Sequence, residues 1–313
     1  MSDGQRITSG RIGVVGAGAI GCFYGAKLLK AGYDVHFLMR RDLATVRERG
    51  LRIRSEGREL HLPAVNAYES SAEIGECDVV IIAVKTTSNY ALPEILKPMV
   101  GRKTAILTLQ NGLGNEEFLA GHYGSERIMG GLCFVCLNRV DYGVVEHLGY
   151  GNVSIGEHGG APRDRTTTMV AALREAGIEA KAVVDLEEER WRKLVWNVPF
   201  NGLSIAGGGI TVDQILFDPG LLTIALGLMR EVAAAARAFD YEIKDDFLES
   251  RVANTRLMGA YKPSSLLDYL AGREVEVESI WGEPLRAARS RGVSTPRLEM
   301  LYGLLRQLTS IGR

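Results

Sequence analysis

A glycine-rich loop near the start of the chain constrains its fold more than any other feature. A short β-rich run at residues 12–15 leads into Gly16, Gly18 and Gly21, and a helix-like segment at residues 23–30 follows. In such a strand–loop–helix unit the glycines permit a tight turn, close approach to a pyrophosphate, and close packing of helix on strand. The pattern therefore predicts a doubly wound α/β domain with a dinucleotide at the helix N-terminus. The residues expected to contact the dinucleotide are Gly16, Ala17, Gly18, Ala19, Ile20 and Gly21.

The end of the second strand indicates which dinucleotide is bound. NAD-binding folds place an acidic residue there for the ribose 2′-hydroxyl, whereas this strand ends in Arg40 and Arg41. Two guanidinium groups suit a 2′-phosphate through charge-assisted hydrogen bonds. Asp42 follows and is an acidic residue of the kind that NAD-binding folds use, but it could equally cap the next helix, which begins near Leu43. Lys85, just after a third apolar strand at residues 79–84, is expected on the same cofactor edge, so the pattern favours NADPH.

A second informative segment begins at Trp191. Lys193, Asn197 and Asn201 recur every four residues in an otherwise apolar stretch, which places all three on one face of a helix. A lysine and two carboxamides are costly to bury unless a polar group lies opposite them, so a small polar ligand is one explanation and a water-facing helix surface is the other. Pro199 lies between the asparagines and is expected to kink the helix or force a local adjustment.

Composition is consistent with a two-domain enzyme. The chain has 313 residues and a formal net charge of −1, so no electrostatic field favours nucleic acid or an anionic membrane as a partner. We see no uninterrupted apolar stretch of some 18 residues, which predicts that no segment spans a bilayer. Residues 1–10 are polar and are expected to be disordered. The four cysteines and the lack of a targeting signal predict a reducing, cytoplasmic location.

Cys133 and Cys136 form a Cys-x-x-Cys pair inside an apolar run that is typical of a strand. Side chains three apart on a strand point to opposite faces, and no second pair or suitably spaced histidine completes a zinc site. We therefore predict structural thiols and no metal site, while a redox role stays open.

The order of predicted elements defines two domains. Strands and helices alternate up to about Asp185, including a hairpin at residues 51–62 and two strands at 144–148 and 152–156 that we interpret as an antiparallel pair. Beyond that point helical periodicity dominates. We predict a Rossmann-type dinucleotide-binding domain at residues 1–185 and an all-α substrate and catalytic domain at 186–313. Asn111 is expected just beyond the carboxyl end of a parallel strand, where open α/β sheets bind ligands, although an ordinary Asn-Gly turn is the alternative.

These motifs together resemble those of the ketopantoate reductases (2-dehydropantoate 2-reductases) over nearly the whole chain. The resemblance rests on the glycine loop, Arg40, Lys85, Asn111-Gly-Leu-Gly114, Lys193-Leu-x-x-Asn197-x-x-x-Asn201, Ser264-Ser265 and Ala271-Gly-Arg-x-x-Glu276. It implies NADPH-dependent reduction of 2-dehydropantoate to pantoate, a step of pantothenate biosynthesis, in a two-domain protein.

The resemblance also implies roles for individual residues. Lys193 would donate the proton to the nascent hydroxyl, and Glu276 would bind the substrate hydroxyl and reach the cofactor. Asn197, Asn201 and Ser265 would hold the substrate, while Asn111 would contact both substrate and cofactor. The chemistry is reasonable in itself, because hydride addition to a ketone builds negative charge on oxygen that a lysine can stabilise and then protonate.

Other functions stay open. Val212 and Trp281 replace polar residues that relatives carry near the expected pocket, so a related NADPH-dependent ketone reductase with a different substrate is one alternative. A non-catalytic NADPH-binding sensor is another, although it would not need a proton donor. The expected partner is a small 2-oxo acid, and the assembly is left open, with a homodimer as one option.

Overall fold

The computed structural model describes residues 10–310, which form two compact units. The first contains residues up to Gln110 and Asn115–Leu186, and the second contains Asn111–Gly114 and Glu187 onward. The short segment 111–114 therefore groups with the second unit, which the sequence does not indicate. Apart from Gly10, the lead-in that we expected to be disordered lies outside the described residues.

The first unit is built on a ten-stranded sheet with the order β4-β3-β9-β8-β7-β6-β1-β2-β5, and β10 pairs with β9. Its strands are β1 Arg11–Val15, β2 Asp34–Leu38, β3 Leu51–Ser55, β4 Arg58–Leu62, β5 Asn66–Tyr68, β6 Cys77–Ile82, β7 Val100–Thr108, β8 Ile128–Asp141, β9 Val144–Glu157 and β10 Ala180–Ala182. Strand β1 pairs in parallel with both β2 and β6. The strand order reverses at β1, because β2 lies on one side of it and β6 on the other. Ligands of open α/β sheets bind at the carboxyl ends of the strands at such a point.

Helices cover this sheet, as the alternating sequence pattern predicts. They are α1 Ala19–Lys30, α2 Leu43–Arg49, α3 Ser71–Ile74, α4 Leu92–Leu96, α5 Asn115–Tyr123 and α6 Asp164–Glu175, with 3-10 turns at Thr86–Ala91 and Ser125–Arg127. Strands such as β6 are almost continuously apolar because both of their faces are buried. The 3-10 turn at Thr86–Ala91 leads directly into α4, which has Pro93 in its first turn.

The antiparallel part of the sheet differs from the sequence-based prediction in one respect. The hairpin β3–β4 is confirmed, with Leu51 opposite Leu62 and positive φ at both turn residues, Glu56 and Gly57. Residues 144–148 and 152–156, however, are not paired with each other. Both belong to β9, which runs antiparallel to β8 with three register shifts. Tyr150 (φ 58°) and Gly151 (φ 125°) form a bulge within β9, whereas the sequence pattern predicted a turn at this place.

Helices dominate the second unit, so the predicted combination of a mixed α/β sheet and a helical region is confirmed. Its elements are α7 Leu186–Ala206, α8 Val212–Phe217, α9 Pro219–Arg237, α10 Asp245–Arg256, α11 Ser264–Leu270, a π-helical turn at Glu278–Gly282, α12 Glu283–Ser290 and α13 Pro296–Ser310. The π-helical turn leads directly into α12. Trp281, Phe200 and Met229 lie in the apolar core of this unit.

Helix α9 is the single helix among the described residues that is long and apolar enough to cross a membrane, judged by length and composition. Half of its most apolar window is buried, and core helices of soluble proteins pass the same test. Its Glu231 is buried and accepts hydrogen bonds from the backbone N–H groups of Arg297 and Leu298. The feature is therefore weak support for a membrane span.

Candidate active site

The glycine loop after β1 has the geometry that its sequence predicts. Gly16 has a φ of 102°, and a Cβ on it would lie 2.5 Å from the backbone nitrogen of Val84. A Cβ on Gly21 would lie 2.1 Å from the carbonyl oxygen of Gly16. Any side chain at either position would force the loop away from the strand or the helix, so both positions require glycine.

Gly18 differs from these two glycines, because no atom lies within 4 Å of the place where its Cβ would stand. It is the N-cap residue of α1, and the first turn of that helix carries no acidic side chain. The loop therefore presents open space, free backbone donors and a positive helix end, and these features suit a pyrophosphate. The residues present fit a dinucleotide.

The ends of β2 and β6 carry the expected cationic residues. Arg40 and Arg41 follow β2 and are both exposed, and Lys85 is half-buried three residues after the end of β6. Asp42, in contrast, is 3% exposed. Its side chain makes no capping bond to α2; it accepts from Arg139 Nη1 at 2.9 Å and from the backbone N–H of Gly143 at 3.0 Å. The suggestion that Asp42 caps α2 through its side chain is wrong.

The end of β7 contains a polar network that sequence reasoning missed. Gln110 is buried; its amide nitrogen donates to Val84 O at 3.0 Å and to Asn89 Oδ1 at 2.7 Å, and its amide oxygen accepts from Thr108. Asn89 in turn donates to Asn115 at 3.0 Å. Gln110 directly precedes Asn111, so this network fixes the point where the chain leaves β7. The sequence feature that could have indicated this network is a glutamine directly after an apolar strand.

The segment Asn111–Gly114 is held by the π-helical turn of the second unit. The backbone N–H of Leu113 donates to the carbonyl oxygen of Ser279 at 2.9 Å. Gly112 has a φ of 87°, and a Cβ on it would lie 2.3 Å from the same oxygen. This close approach requires glycine and fixes the direction of the neighbouring Asn111.

Asn111 and Lys193 meet in the structure. Lys193 Nζ donates to Asn111 Oδ1 at 2.7 Å, although the two residues are 82 positions apart. Lys193 is half-buried on α7, which continues without interruption through Pro199 to Ala206. The amide oxygen orients the ammonium group, which carries three N–H donors in all.

The two asparagines on the same face of α7 have different surroundings. Asn201 is 2% exposed, and its Oδ1 accepts from the backbone N–H of Ser265 at 3.0 Å, which links α7 to the first turn of α11. Asn197 is 8% exposed, and its amide makes no hydrogen bond to any described residue. Asn197 therefore has an amide that a ligand can use, while the oxygen of Asn201 is committed to Ser265.

Sequence reasoning also missed Ser204, which lies on the same face of α7 three residues after Asn201. Its side chain is fully buried, and its Oγ is among the few buried polar atoms of the described residues without a hydrogen-bond partner. The sequence feature that could have indicated Ser204 is its spacing of three residues from Asn201, which places both on one helix face.

Glu276 lies just before the π-helical turn and is half-buried between two buried valines, Val275 and Val277. Its backbone oxygen accepts from Ile280 N, and Ser279, three residues on, holds the Asn111 segment. The backbone at Glu276 is thus joined to Lys193 through Ser279, Leu113 and Asn111. Helix π-bulges are frequent at functional sites because they redirect side chains.

Two residues expected beside the pocket lie in the core instead. Trp281 and Val212 are both fully buried. The indole Nε1 of Trp281 donates to the carbonyl oxygen of Val198 at 2.9 Å. Neither side chain is available to a ligand, so these two apolar residues give no reason to expect an unusual substrate.

None of the four cysteines forms a disulfide in the structure. Cys133 is buried and Cys136 is half-buried, both on β8, which confirms the predicted strand. That these thiols are structural stays a prediction.

A glycine loop built for a dinucleotide and a helical unit with an oriented lysine define the class of dinucleotide-dependent reductases. Comparison with known families agrees. The family model described as ketopantoate reductase PanE/ApbA matches residues 12–160, and the model of its C-terminal part matches residues 185–309. The chain belongs to the ketopantoate reductase family.

Individual relatives support the same assignment. The chain is 41% identical over 305 residues to a 2-dehydropantoate 2-reductase of Nostoc sp., covering 96% of this chain and 95% of the relative. The crystal structure of 2-dehydropantoate 2-reductase from Geobacter metallireducens is 42% identical, with a TM-score of 0.92 and coverage of 95% and 99%. A D-mandelate dehydrogenase solved with NADH and anilino(oxo)acetate is 21% identical, with a TM-score of 0.87 and coverage of 96% and 98%, and shows the shared fold alone.

Proposed function

We propose that this reductase converts 2-dehydropantoate to pantoate with NADPH, as a step of pantothenate biosynthesis. The observation that carries the proposal is the hydrogen bond from Lys193 to Asn111, which orients an ammonium group among polar side chains of the helical unit. The names of the relatives support the substrate, and the site residues retain the chemistry that a ketone reduction requires.

Lys193 is the proposed proton donor. Bound NADPH supplies the hydride, and the carbonyl oxygen of the substrate gains negative charge as the hydride is added. An ammonium group near that oxygen stabilises the charge and then delivers a proton from Nζ, so the product leaves as a neutral hydroxyl. The contact with Asn111 keeps Nζ oriented before the substrate arrives, which lowers the cost of positioning.

Asn197, Asn201, Ser265 and Glu276 are the proposed substrate-binding residues, and Glu276 also takes part in catalysis. The amide of Asn197 offers both a donor and an acceptor to the polar groups of the substrate. Asn201 contributes through its amide nitrogen and positions Ser265 through its oxygen. A carboxylate at Glu276 accepts a hydrogen bond from the substrate hydroxyl and helps to orient Lys193.

The glycine loop, Arg40, Arg41 and Lys85 are the proposed NADPH-binding residues, with Asn111 and Glu276 at the reactive end. Arg40 and Arg41 are exposed at the end of β2, where a 2′-phosphate would be recognised. We also propose that the enzyme works in the cytoplasm, as a homodimer or alone, without a nucleic-acid or membrane partner.

NADPH oxidation measured with 2-dehydropantoate and a panel of other 2-oxo acids tests the substrate. We expect kcat/KM to be highest for 2-dehydropantoate, and Lys193→Ala to abolish most of the activity. A higher kcat/KM for another 2-oxo acid would leave the reductase chemistry in place and refute the substrate. A protein that binds NADPH but oxidises it with no member of the panel would favour the sensor.

A further inference from the structure

Asp42 is a buried carboxylate whose two oxygens are both held by the tip of the β8–β9 hairpin. Oδ1 accepts from Arg139 Nη1 at 2.9 Å, and Oδ2 accepts from Gly143 N at 3.0 Å. The side chain of Asp42 is 4% exposed, whereas that of Arg139 is 35% exposed. A buried carboxylate needs such partners, because its desolvation is otherwise uncompensated.

The hairpin tip that supplies these partners is itself fixed. Gly143 has a φ of 68°, and a Cβ on it would lie 2.9 Å from Val46 Cγ2 of α2. Its carbonyl oxygen accepts from Arg52 N at 2.9 Å. The tip is therefore packed on α2 and bonded to the start of β3, so its N–H stays directed at Asp42.

The ion pair follows β2, the strand that pairs with β1, and β1 leads into the proposed cofactor loop. Cys22, next to Gly21, donates from Sγ to the carbonyl oxygen of Ala17 at 3.3 Å. The pKa of the Cys22 thiol is raised to about 12, first by burial and then by the negative charge of Asp42, while Arg139 opposes the shift. Val15, directly before the glycine loop, pairs with Leu38, and Asp42 lies four residues after Leu38. Asp42 is also two positions from Arg40.

We propose that Arg139 is a positioning residue for cofactor specificity, which acts by occupying and neutralising Asp42. The inference rests on the proposed NADPH preference. An acidic residue with a free carboxylate near the end of β2 accepts hydrogen bonds from a ribose 2′-hydroxyl and repels a 2′-phosphate. With both oxygens bound and its charge paired, Asp42 does neither, and Arg40 and Arg41 are left to bind the phosphate.

The test is a set of titrations of the full chain with NADPH and with NADH, measuring Kd by calorimetry. Arg139→Met keeps the apolar stem of the side chain and removes its charge. We expect it to raise the Kd for NADPH about tenfold or more and to leave the Kd for NADH unchanged or lower. Arg139→Met/Asp42→Asn should return the ratio of the two constants to within about threefold of the wild type, because no free charge remains.

Matched controls separate this effect from changes in net charge and from misfolding. Arg54 pairs with Glu59 on the neighbouring hairpin, and Arg54→Met should leave both constants unchanged. Asp42→Asn alone should not weaken NADH, because a carboxylate held by Arg139 makes no contact with the ribose. This variant decides the matter if Arg139→Met does not fold, and weaker NADH binding by it would refute the proposal.

The remaining outcomes distinguish the two levels of inference. If the single and the double variant lose NADPH affinity equally, Arg139 contacts the phosphate directly and the role of Asp42 is refuted. If the wild type prefers NADPH and Arg139→Met leaves that preference intact, this inference fails while the proposed cofactor stands. A wild type that binds both cofactors equally refutes the proposed cofactor and this inference together.

Discussion

Truncation to alanine should destabilise the protein far more at Asn201 than at Asn197, although the two residues lie one turn apart on α7. Asn201→Ala removes the acceptor of the Ser265 N–H. Asn201 is 2% exposed and Ser265 is 4% exposed, so water cannot easily replace that acceptor. A buried donor left without an acceptor costs about 1–3 kcal/mol, and the lost packing adds about 1 kcal/mol. The free energy of unfolding of the helical unit should therefore fall by about 2–4 kcal/mol.

Asn197→Ala is the matched control. The amide of Asn197 makes no hydrogen bond to the described residues, so its removal leaves no protein group unsatisfied. We expect a change in the free energy of unfolding of no more than about 1 kcal/mol, with either sign. If Asn197 binds substrate, as proposed, the same substitution should raise KM about tenfold, which corresponds to the loss of one hydrogen bond to the ligand.

Urea unfolding followed by tryptophan fluorescence is a suitable assay. The chain has three tryptophans, at positions 191, 196 and 281, and all belong to the helical unit, so the signal reports on that unit. The midpoint should fall for Asn201→Ala with an unchanged slope, and it should stay near the wild-type value for Asn197→Ala. Equal losses of stability in the two variants would refute the reasoning from hydrogen bonds. Equal KM values for Asn197→Ala and the wild type would refute its role in substrate binding.

Three further outcomes are expected. Lys193→Ala should lower kcat by about 10²–10⁴-fold while leaving the Kd for NADPH within about twofold, and wild-type kcat would exclude Lys193 as the proton donor. Trp281→Phe should lower the free energy of unfolding by about 1–3 kcal/mol, measured by circular dichroism, because the bond to Val198 lies in the core; an unchanged midpoint would contradict this. The pKa of the Cys22 thiol is raised from 9.0 to about 12, so the unfolded chain loses this proton first, and stability should fall as pH rises from 9 towards 12. Cys22→Ala should show a shallower fall than the wild type, and an identical pH dependence would contradict the shift.

The elements that could be predicted from sequence are those that short-range patterns determine. The glycine loop combines backbone angles and close approaches within a few residues, and the requirement for glycine at Gly16 and Gly21 follows from contacts inside one strand–loop–helix unit. The line of Lys193, Asn197 and Asn201 follows from helical periodicity alone. These predictions needed no knowledge of the rest of the chain.

The parts that could not be predicted depend on contacts between distant residues. Asp42 follows two arginines in sequence, but whether it meets a ribose, an N-cap donor or another side chain depends on Arg139, 97 positions away. The strand β9 was read as two strands because Tyr150 and Gly151 adopt positive φ angles in the middle of it. A turn and a bulge use the same residue types, and pairing with β8 decides between them.

Trp281 shows why a substitution in a site motif does not by itself predict a change in the site. The π-helical turn at Glu278–Gly282 contains an extra residue per turn, so helical spacing from Glu276 does not give the direction of the side chains that follow it. Trp281 is directed into the core, where its indole donates to the carbonyl oxygen of Val198, the residue after Asn197. The polar side chains that bind a ligand need some of their hydrogen bonds for that ligand, so other residues must hold them in place. The segment that carries Glu276 is therefore held to the helix that carries Lys193 by buried contacts beside the site, and an apolar residue at position 281 serves the same chemistry from the core.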